Sequence, residues 1–397
     1  MKINILCLLC LLFSACNNEN IIELSSGNGD ECVFQFMLKV PGTIKVDTKS
    51  VDTKAKATLK LGETTVYNVW ILQFNEDGTD LLKAVFANQD DIQSVGDDLL
   101  YDQLLIQLAK EGMRFKNEDS VFYIIVNGEA STATEETANL FVNTGGIPTT
   151  LTVNDLMAKT KDITYSTDGS ATGANILSSG PTGYEKDDTG NADMKLVVLS
   201  RMYRAFAKVT VNVGSSIKAV DGQFSLITTT PVIIANVPKR TRLYDDGSSS
   251  YPVLDATDFY GEIPVSGITL GEKEGTFYLA ENIRGTGDAT SAQEKNIGSK
   301  GPGGTLDYCT YLLVKGQYKY YLGQQSGTNT YSDPIDVEYK FYLGGDLVTD
   351  YNIYRDYHYK ITINIAGPNS ADYRVKITNG NVAVFDDADN VENKVIF

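Results

Sequence analysis

Residues 357–365 read YHYKITINI, a stretch in which two kinds of side chain alternate. The odd positions carry Tyr or Ile, and the even positions carry His, Lys, Thr or Asn. Because successive side chains of a β-strand point to opposite faces, the pattern predicts a strand with one apolar face and one polar face. His358, the only histidine among 397 residues, lies on the polar face, so we expect it at the protein surface.

Other apolar segments of strand length surround this one, and turn residues separate them. Helical periodicity is almost absent after residue 194. Many short strands joined by turns are typical of antiparallel β-sandwiches, so the chain is predicted to be mainly β. The clearest strands are 194–214, 224–238, 275–282, 308–316, 337–344 and 357–365.

The first half of the chain mixes strands with predicted helices. VFQFMLKVPG (33–42) predicts a strand that Pro41 and Gly42 end, residues 66–86 predict a hairpin, and 121–128 predict a buried strand. Leucines at 100, 104 and 108 predict a helix over 97–112, and short helices are predicted for 132–140 and 153–160. Residues 165–193 are polar and predict a long loop.

The N-terminus resembles a bacterial lipoprotein signal. Lys2 precedes an apolar run that is too short to span a bilayer, and Ser14 and Ala15 lead to Cys16. Phe13 stands where a lipobox usually has Leu, so an ordinary secretory signal is the alternative. We expect lipid on Cys16, a signal at 1–15, a flexible tether at 16–32, and β-sandwich domains at 33–214 and 215–397. The loop before 194 is an alternative boundary.

Charge and cysteine content restrict the possible functions. The net charge of −17 argues against nucleic-acid binding, which needs clustered Lys and Arg. After removal of the signal and lipidation of Cys16, Cys32 and Cys309 remain, either as separate thiols or as a disulfide. No sequence motif nominates a catalytic, metal or cofactor site, and DDADN (386–390) is better explained as a solvated turn than as a calcium loop. The expectation is therefore a protein that is not an enzyme and has no cofactor.

Several segments together resemble the fimbrillin family, the type V pilin subunits and accessory proteins of Bacteroidota. Cys16 and its tether precede VFQFMLKVPG, and VWILQFNEDGTDLL resembles the family's first-domain hairpin. LSRMYRAFAKVTVNV resembles its Leu-x-Arg…Ala-Lys-Val strand, and YNIYRDYHYKITINIAG followed by ADYRV resembles its closing strands, with Asp356 where Asn is usual. TFYLAENIRG resembles its Tyr-x-x-Glu-Asn-x-x-Gly strand end, through Tyr278, Glu281, Asn282 and Gly285.

The resemblance implies two transthyretin-like β-sandwich domains and assembly with other fimbrial subunits by β-strand addition. It also implies that a protease removes the first strand, with the cut in residues 43–65. The family protease typically cuts after Arg, whereas this chain has no Arg before Arg114. The candidate processing residues are Lys45, Lys49, Lys54 and Lys56. The candidate displaced strand contains Val33, Phe34, Phe36, Leu38 and Val40.

By this resemblance the protein is expected at the outer membrane surface and in fimbriae, held by its N-terminal lipid. Its expected role is a structural or adhesive accessory subunit, with the anchor and tip positions both open. Host or bacterial surface ligands are further expected partners. The alternative is a surface glycan-binding lipoprotein of a nutrient-uptake system, using the Tyr-rich stretches GQYKYYLGQQ and DYNIYRDYHY.

Overall fold

The computed structural model of the chain consists mainly of β-strands. It describes residues 31–41, 66–98, 103–108, 114–116, 119–142, 149–165, 171–172, 176–183, 185–186, 196–245, 255–365, 367 and 375–384. The elements up to residue 204 are β1 (Glu31–Pro41), β2 (Asn68–Asn75), β3 (Leu81–Asn88), β4 (Ile92–Asp98), β5 (Gln103–Leu108), β6 (Arg114–Lys116), β7 (Ser120–Val126), α1 (Val153–Ala158), β8 (Thr160–Asp162), β9 (Thr164–Tyr165), β10 (Ala171–Thr172), β11 (Leu177–Thr182), β12 (Glu185–Lys186), β13 (Leu196–Arg201) and β14 (Tyr203–Arg204).

The remaining strands lie between residues 206 and 384. They are β15 (Phe206–Ser215), β16 (Gly222–Leu226), β17 (Val232–Pro238), β18 (Arg240–Arg242), β19 (Phe259–Val265), β20 (Gly275–Ala280), β21 (Tyr311–Gln325), β22 (Thr328–Tyr331), β23 (Ile335–Tyr342), β24 (Tyr357–Ile365) and β25 (Val375–Val384). Single 3-10 turns occur at Gln89–Asp91, Ala256–Asp258, Glu294–Asn296, Gly298–Lys300 and Pro302–Gly304.

Two sheets of the first half face one another across an apolar core. One has the order β12-β13-β1-β5-β4, with β6 also paired to β1, and the other has the order β14-β11-β7-β2-β3. Val69 and Ile71 of β2 point into the core between these sheets, while Trp70, Leu72 and Phe74 point to a second core on the opposite face. Burial on both faces explains the continuous apolar runs at 69–72 of β2 and 121–126 of β7.

Two sheets of the second half enclose a third core. The order β20-β15-β24-β25 faces the order β16-β21-β17-β19, and β22 and β23 also pair with β21. Alternate residues Val209, Val211 and Val213 of β15 are fully buried, as the period of a strand requires. Sheets facing each other across such cores form β-sandwich architecture, so the predicted mainly β, sandwich-type fold is confirmed.

Several local predictions are also confirmed. The hairpin over 66–86 is formed by β2 and β3, and the buried strand over 121–128 is β7. Helix α1 lies inside the predicted 153–160. Thr152 caps it by accepting a hydrogen bond from the Asp155 amide, while the Asp155 side chain accepts one from the Thr152 amide.

The predicted helix over 97–112 is wrong, because the described parts of this region form the antiparallel pair β4 and β5. Leucines at 100, 104 and 108 are spaced by four residues, which fits a helical face but also places all three on one face of a strand. Strand β5 pairs with β1, and Leu108 is buried in the core beside it. A sheet partner distant in sequence therefore decides the conformation.

Two other predictions for the first half are corrected. Residues 132–140 form turns instead of a helix, since the Thr134 amide donates to the Thr137 hydroxyl, and Glu129 Oε1 accepts from the Asn139 and Leu140 amides. Side chains that bond to nearby backbone groups compete with helix formation in this way. Residues 165–193 are not a continuous loop, because their described parts include the short strands β10, β11 and β12.

Candidate functional site

Strand β1, the predicted displaced strand, lies inside a sheet and is paired on both edges. Residues 34–39 pair in parallel with 196–201 of β13. On the other edge, residues 37–41 pair antiparallel with β5, and 31–33 pair with β6. A strand so placed fills the gap between two partners, and the backbone groups of β13 and β5 depend on it for their hydrogen bonds.

The inner face of β1 carries three of the five side chains predicted for the displaced strand. Phe34, Phe36 and Leu38 are 2%, 0% and 0% exposed. Burying side chains of this size stabilises a fold by about 1.5–3 kcal/mol each. Val33 and Val40 pair with Arg114 and Leu104, and their side chains lie outside the described residues.

Two aromatic rings from other strands complete the pocket of β1. The centroid of Phe34 lies 5.7 Å from that of Phe115 on β6 and 4.9 Å from that of Phe122 on β7. The centroid of Phe36 lies 5.3 Å and 5.2 Å from the same two rings. Tilted and edge-to-face pairs of this kind add to the burial term. The pocket therefore accommodates large side chains at alternating positions of β1.

The sequence alone did not reveal Phe115 and Phe122 as partners of β1. Phe122 belongs to an apolar run predicted as a strand, but Phe115 lies between Arg114 and Lys116, where nothing marks it as buried. The proposed lipidation residue Cys16 and the proposed processing residues Lys45, Lys49, Lys54 and Lys56 lie outside the described residues. Cys309 is a free, buried thiol, and the side chain of Cys32 is outside the described residues.

A group of buried charged side chains lies beside β20 and β24. Glu281 Oε2 lies 3.3 Å from Arg242 Nη2 and 3.1 Å from Arg355 Nη2, and Arg242 also pairs with Asp245. Nearby, Arg204 Nη1 lies 3.7 Å from Asp356 Oδ1. These groups have equal numbers of positive and negative charges, which is how buried charges are tolerated.

The other residues of the Tyr-x-x-Glu-Asn-x-x-Gly motif also have structural positions. The side-chain amide of Asn282 donates to the Tyr308 carbonyl and the Thr310 hydroxyl, both at 2.9 Å. Gly285 has a φ of 97°, which favours glycine, and its amide donates to Asn352 Oδ1 at 2.6 Å. Asn282 and Gly285 of the motif therefore shape the end of β20.

Asp356, the residue that stands where the closing strands of the family usually have Asn, has a φ of 61°. Asn and Asp tolerate this conformation better than most residues.

The prediction of a surface position for His358 is wrong. The side chain is 6% exposed, and its Nε2 lies 2.9 Å from the Thr210 hydroxyl. Strand β24 pairs in parallel with β15, so the side chains of Lys208 and Thr210 lie beside His358 on the same face of the sheet. Burial, and then the charges of Lys208 and Lys360, lower the pKa of His358 to about 3, which keeps the imidazole neutral at pH 7.

Three of the seven tyrosines in the two Tyr-rich stretches are buried, three are partly buried, and one is exposed. Tyr318, Tyr351 and Tyr359 are 1%, 0% and 3% exposed, whereas Tyr320 is 46% exposed. Within the described residues, no group of three or more His, Cys, Asp or Glu side chains is placed to hold a metal ion. The helices described are all too short or too polar to cross a membrane.

Comparison with protein families gives one match, which covers only part of the chain and is to a domain of unknown function. Residues 277–363 match the model described as a domain of unknown function, DUF4906, which covers β20 to β24 and the motif around Glu281. No curated protein matches the chain.

The solved structures that resemble this chain include proteins described as fimbrial and proteins described as putative cell adhesion proteins. The tip fimbrial protein Mfa3 from Porphyromonas gingivalis is 14% identical, with coverage of 86% of this chain and 97% of that one and a TM-score of 0.46. A putative cell adhesion protein from Parabacteroides distasonis is 14% identical, with coverage of 90% and 98% and a TM-score of 0.49. The fimbrilin FimA from Porphyromonas gingivalis is 14% identical, with coverage of 85% and 90% and a TM-score of 0.41.

Proposed function

We propose that this protein is a structural or adhesive fimbrial subunit that joins its neighbours by strand exchange at the position of β1. The observation that carries the proposal is the interior position of β1, paired with β13 on one edge and with β5 and β6 on the other. Removal of β1 would leave two unpaired strand edges above the Phe115 and Phe122 rings. Such a groove accepts an extended strand from another chain.

The position of β1 in the chain also supports removal. It is the first described element, and residues 42–65 separate it from the next described segment. A cut in this segment separates β1 from the rest of the chain and leaves every other described strand intact. The four candidate Lys residues, Lys45 to Lys56, all lie there.

The proposal includes export as a lipoprotein and residence on the outer membrane surface. Cys16 would carry the lipid, and residues 17–30 would tether the folded part to the membrane. The predicted tether over 16–32 is shorter at its end, because Glu31 and Cys32 already pair with β6 as part of β1. A subunit that keeps β1 would stay at the membrane as an anchor, while a subunit that loses it would accept a neighbour's strand as a tip or stalk component. Both positions are compatible with ligands on host or bacterial surfaces.

The division into two domains is likewise a proposal. Strand β13 pairs with β1, whereas β15 pairs with β20 and β24. These pairings favour a junction between Arg201 and Phe206 over one at Gly214, because β15 contributes to the third core. The transthyretin-like topology remains part of the same proposal.

Mass spectrometry of the N-terminal peptides tests the assignment. The protein is recovered separately from outer membranes and from sheared surface filaments. We expect chains that begin at lipidated Cys16 in the membranes, or chains that begin after Lys45, Lys49, Lys54 or Lys56 in the filaments. Intact chains confined to membranes would fit either an anchor or an unrelated surface lipoprotein, and absence of the chain from both fractions would contradict a fimbrial role.

Glycan binding remains the second candidate function because Tyr320 presents an exposed ring. A glycan array with the wild type and a Tyr320→Ala variant tests it. Binding that depends on Tyr320 supports a carbohydrate receptor, and its absence leaves the fimbrial role unaffected.

A further inference from the structure

Strand β21 extends beyond the sheet to which it belongs. Its 15 residues pair with β23 through Tyr318 and with β16 through Tyr320. In the described part of the chain, residues 321–325 pair with β22 alone. Ser326 and Gly327, with φ of 53° and 81°, form the two-residue turn. Residues 320–332 thus form a projecting two-stranded unit, called here the ribbon.

The ribbon carries no charge. No Asp, Glu, Lys or Arg occurs from Tyr320 to Ser332, although the chain has a net charge of −17. The edge strand β23 differs, since it carries Asp336, Glu338 and Lys340. Charged side chains on an edge discourage another chain from adding to it, and the ribbon lacks that protection.

Apolar side chains are exposed on and beside the ribbon. Leu322 is 67% exposed, at the point where the register of β21 against β22 shifts, and Tyr320 is 46% exposed. Val220, 58% exposed, comes two residues before Gly222, which pairs with Tyr320. Exposed apolar side chains beside an uncharged strand edge favour contact with another chain.

Side-chain contacts hold the ribbon in shape. Gln324 Nε2 donates to Asn329 Oδ1 at 3.0 Å, and the Thr330 hydroxyl donates to the Gly323 carbonyl at 2.9 Å. The Tyr331 hydroxyl donates to the Ala219 carbonyl at 3.0 Å, which ties the ribbon to the loop before β16. Because these contacts already hold the ribbon in shape, little conformational entropy is lost when a partner binds to it.

We propose that the ribbon is a self-association surface, on which β22 of a second copy of this chain adds antiparallel to β22. A free strand edge offers backbone donors and acceptors in the spacing of another polypeptide strand. A two-fold axis makes such an edge complementary to itself. Two copies of an acidic chain repel each other, and the uncharged ribbon is a place where close approach carries no local repulsion. This proposal is independent of strand exchange at β1.

Analytical ultracentrifugation of the exported chain, extracted from membranes into density-matched detergent, tests the proposal. We expect a concentration-dependent dimer, and at least about a tenfold weaker dimer for Asn329→Lys on β22, because the two-fold axis brings the two added charges close together across the paired strands. Gln223→Lys places the same charge on an exposed position of β16 and serves as the matched control. A chain that stays monomeric up to about 100 µM, a range that covers weak association, would overturn the proposal.

Disulfide trapping locates the contact. Cysteine placed singly at Asn329 or Thr330 is expected to give a covalent dimer under mild oxidation, whereas Glu338→Cys on β23 is not. Unchanged dimerisation of Asn329→Lys together with equal cross-linking at Glu338→Cys would overturn the assignment to the ribbon. A monomer whose glycan binding is lost in Asn329→Lys would also overturn it, in favour of a carbohydrate ligand.

Discussion

Glu281 is the residue at which three segments of the chain meet. It follows β20, and its carboxylate binds Arg242 of β18 and Arg355 of the segment before β24. Its side chain is 5% exposed, so the three charges depend on one another rather than on water. The sequence indicated Glu281 as a motif residue through family resemblance, but its arginine partners lie 39 and 74 positions away, beyond the reach of any local pattern.

Glu281→Gln is expected to lower the free energy of unfolding by about 3–5 kcal/mol, because it leaves two buried guanidinium groups without their shared carboxylate. Chemical denaturation of the wild type and variant measures the difference. Asp162→Asn is the matched control, since the Arg240–Asp162 pair is 60% and 78% exposed and such pairs contribute about 0–1 kcal/mol. Equal effects from the two substitutions would contradict the structural role of the Glu281 cluster.

His358 predicts a specific pH dependence of stability. Its pKa is about 3 in the folded chain and near 6.5 when unfolded, so the unfolded state binds the additional proton between these values. Stability from the neutral imidazole is fully present above pH 6.5 and decreases as the pH falls, by about 2 kcal/mol at pH 5.

The comparison of wild type with His358→Gln isolates this effect, because the chain has no other histidine and the carboxylates are common to both proteins. We expect the two curves of unfolding free energy against pH to diverge from pH 7 to pH 5. Parallel curves over that range would show that His358 is not buried in a neutral form.

At the scale of elements, β1 is the strand on which the sandwich of the first half depends. It supplies Phe34, Phe36 and Leu38 to the core and stands between strands that are far apart in sequence. Its alternating apolar residues were sufficient to predict a strand. Its parallel pairing with β13 was not predictable, because the two segments are separated by more than 150 residues and no local signal sets their register.

Phe36→Ala is expected to lower the free energy of unfolding by about 3–5 kcal/mol, since it removes a fully buried ring that contacts Phe115 and Phe122. Thermal and chemical unfolding measure the loss. Gln35→Ala, on the opposite face of the same strand, is expected to change stability by less than about 1 kcal/mol. A larger loss of stability in Gln35→Ala than in Phe36→Ala would contradict the position of the Phe36 face in the core.

The region from 97 to 112 shows why some elements were misread. Its leucine spacing satisfies a helical period and a strand period together, so the sequence pattern was ambiguous. Whether the region forms a helix or a strand depends on β1, because β1 provides the edge to which β5 pairs. Strands with strict alternation, such as β24 and β15, carried their conformation in the local sequence and were predicted correctly.

At the scale of the whole molecule, each half of the chain contributes a segment that packs against the other half. Strand β8 pairs with β18, and Leu243 and Tyr244 pack in the core behind β2 and β7. The ring centroids of Tyr244 and Tyr123 lie 5.0 Å apart, and the Tyr244 hydroxyl donates to the Gly180 carbonyl. These contacts favour cooperative unfolding of the described part of the chain.

Substitution of Lys161 tests whether these contacts couple the unfolding of the two halves. The Lys161 Nζ on β8 donates to the carbonyls of Asn127, Gly128 and Glu129, which follow β7, at 2.9, 3.0 and 3.2 Å. Lys161→Met is expected to cost about 1–3 kcal/mol and to separate one calorimetric transition into two, because partly buried carbonyls lose their donor. Lys218→Met, at an exposed position, is the control, and an unaltered single transition in both variants would contradict the role of Lys161.

The measurement that tests strand exchange most directly is replacement of β1 by an added peptide. A protease site inserted within residues 43–65 is cut in the folded protein, and a fluorescent peptide with the sequence of residues 31–41 and Ser in place of Cys32 is added. The account predicts that the labelled peptide enters the groove and that a peptide with Asp in place of Phe34 and Phe36 does not. Failure of the first peptide to enter, or equal entry of both, would contradict assembly through the groove of β1.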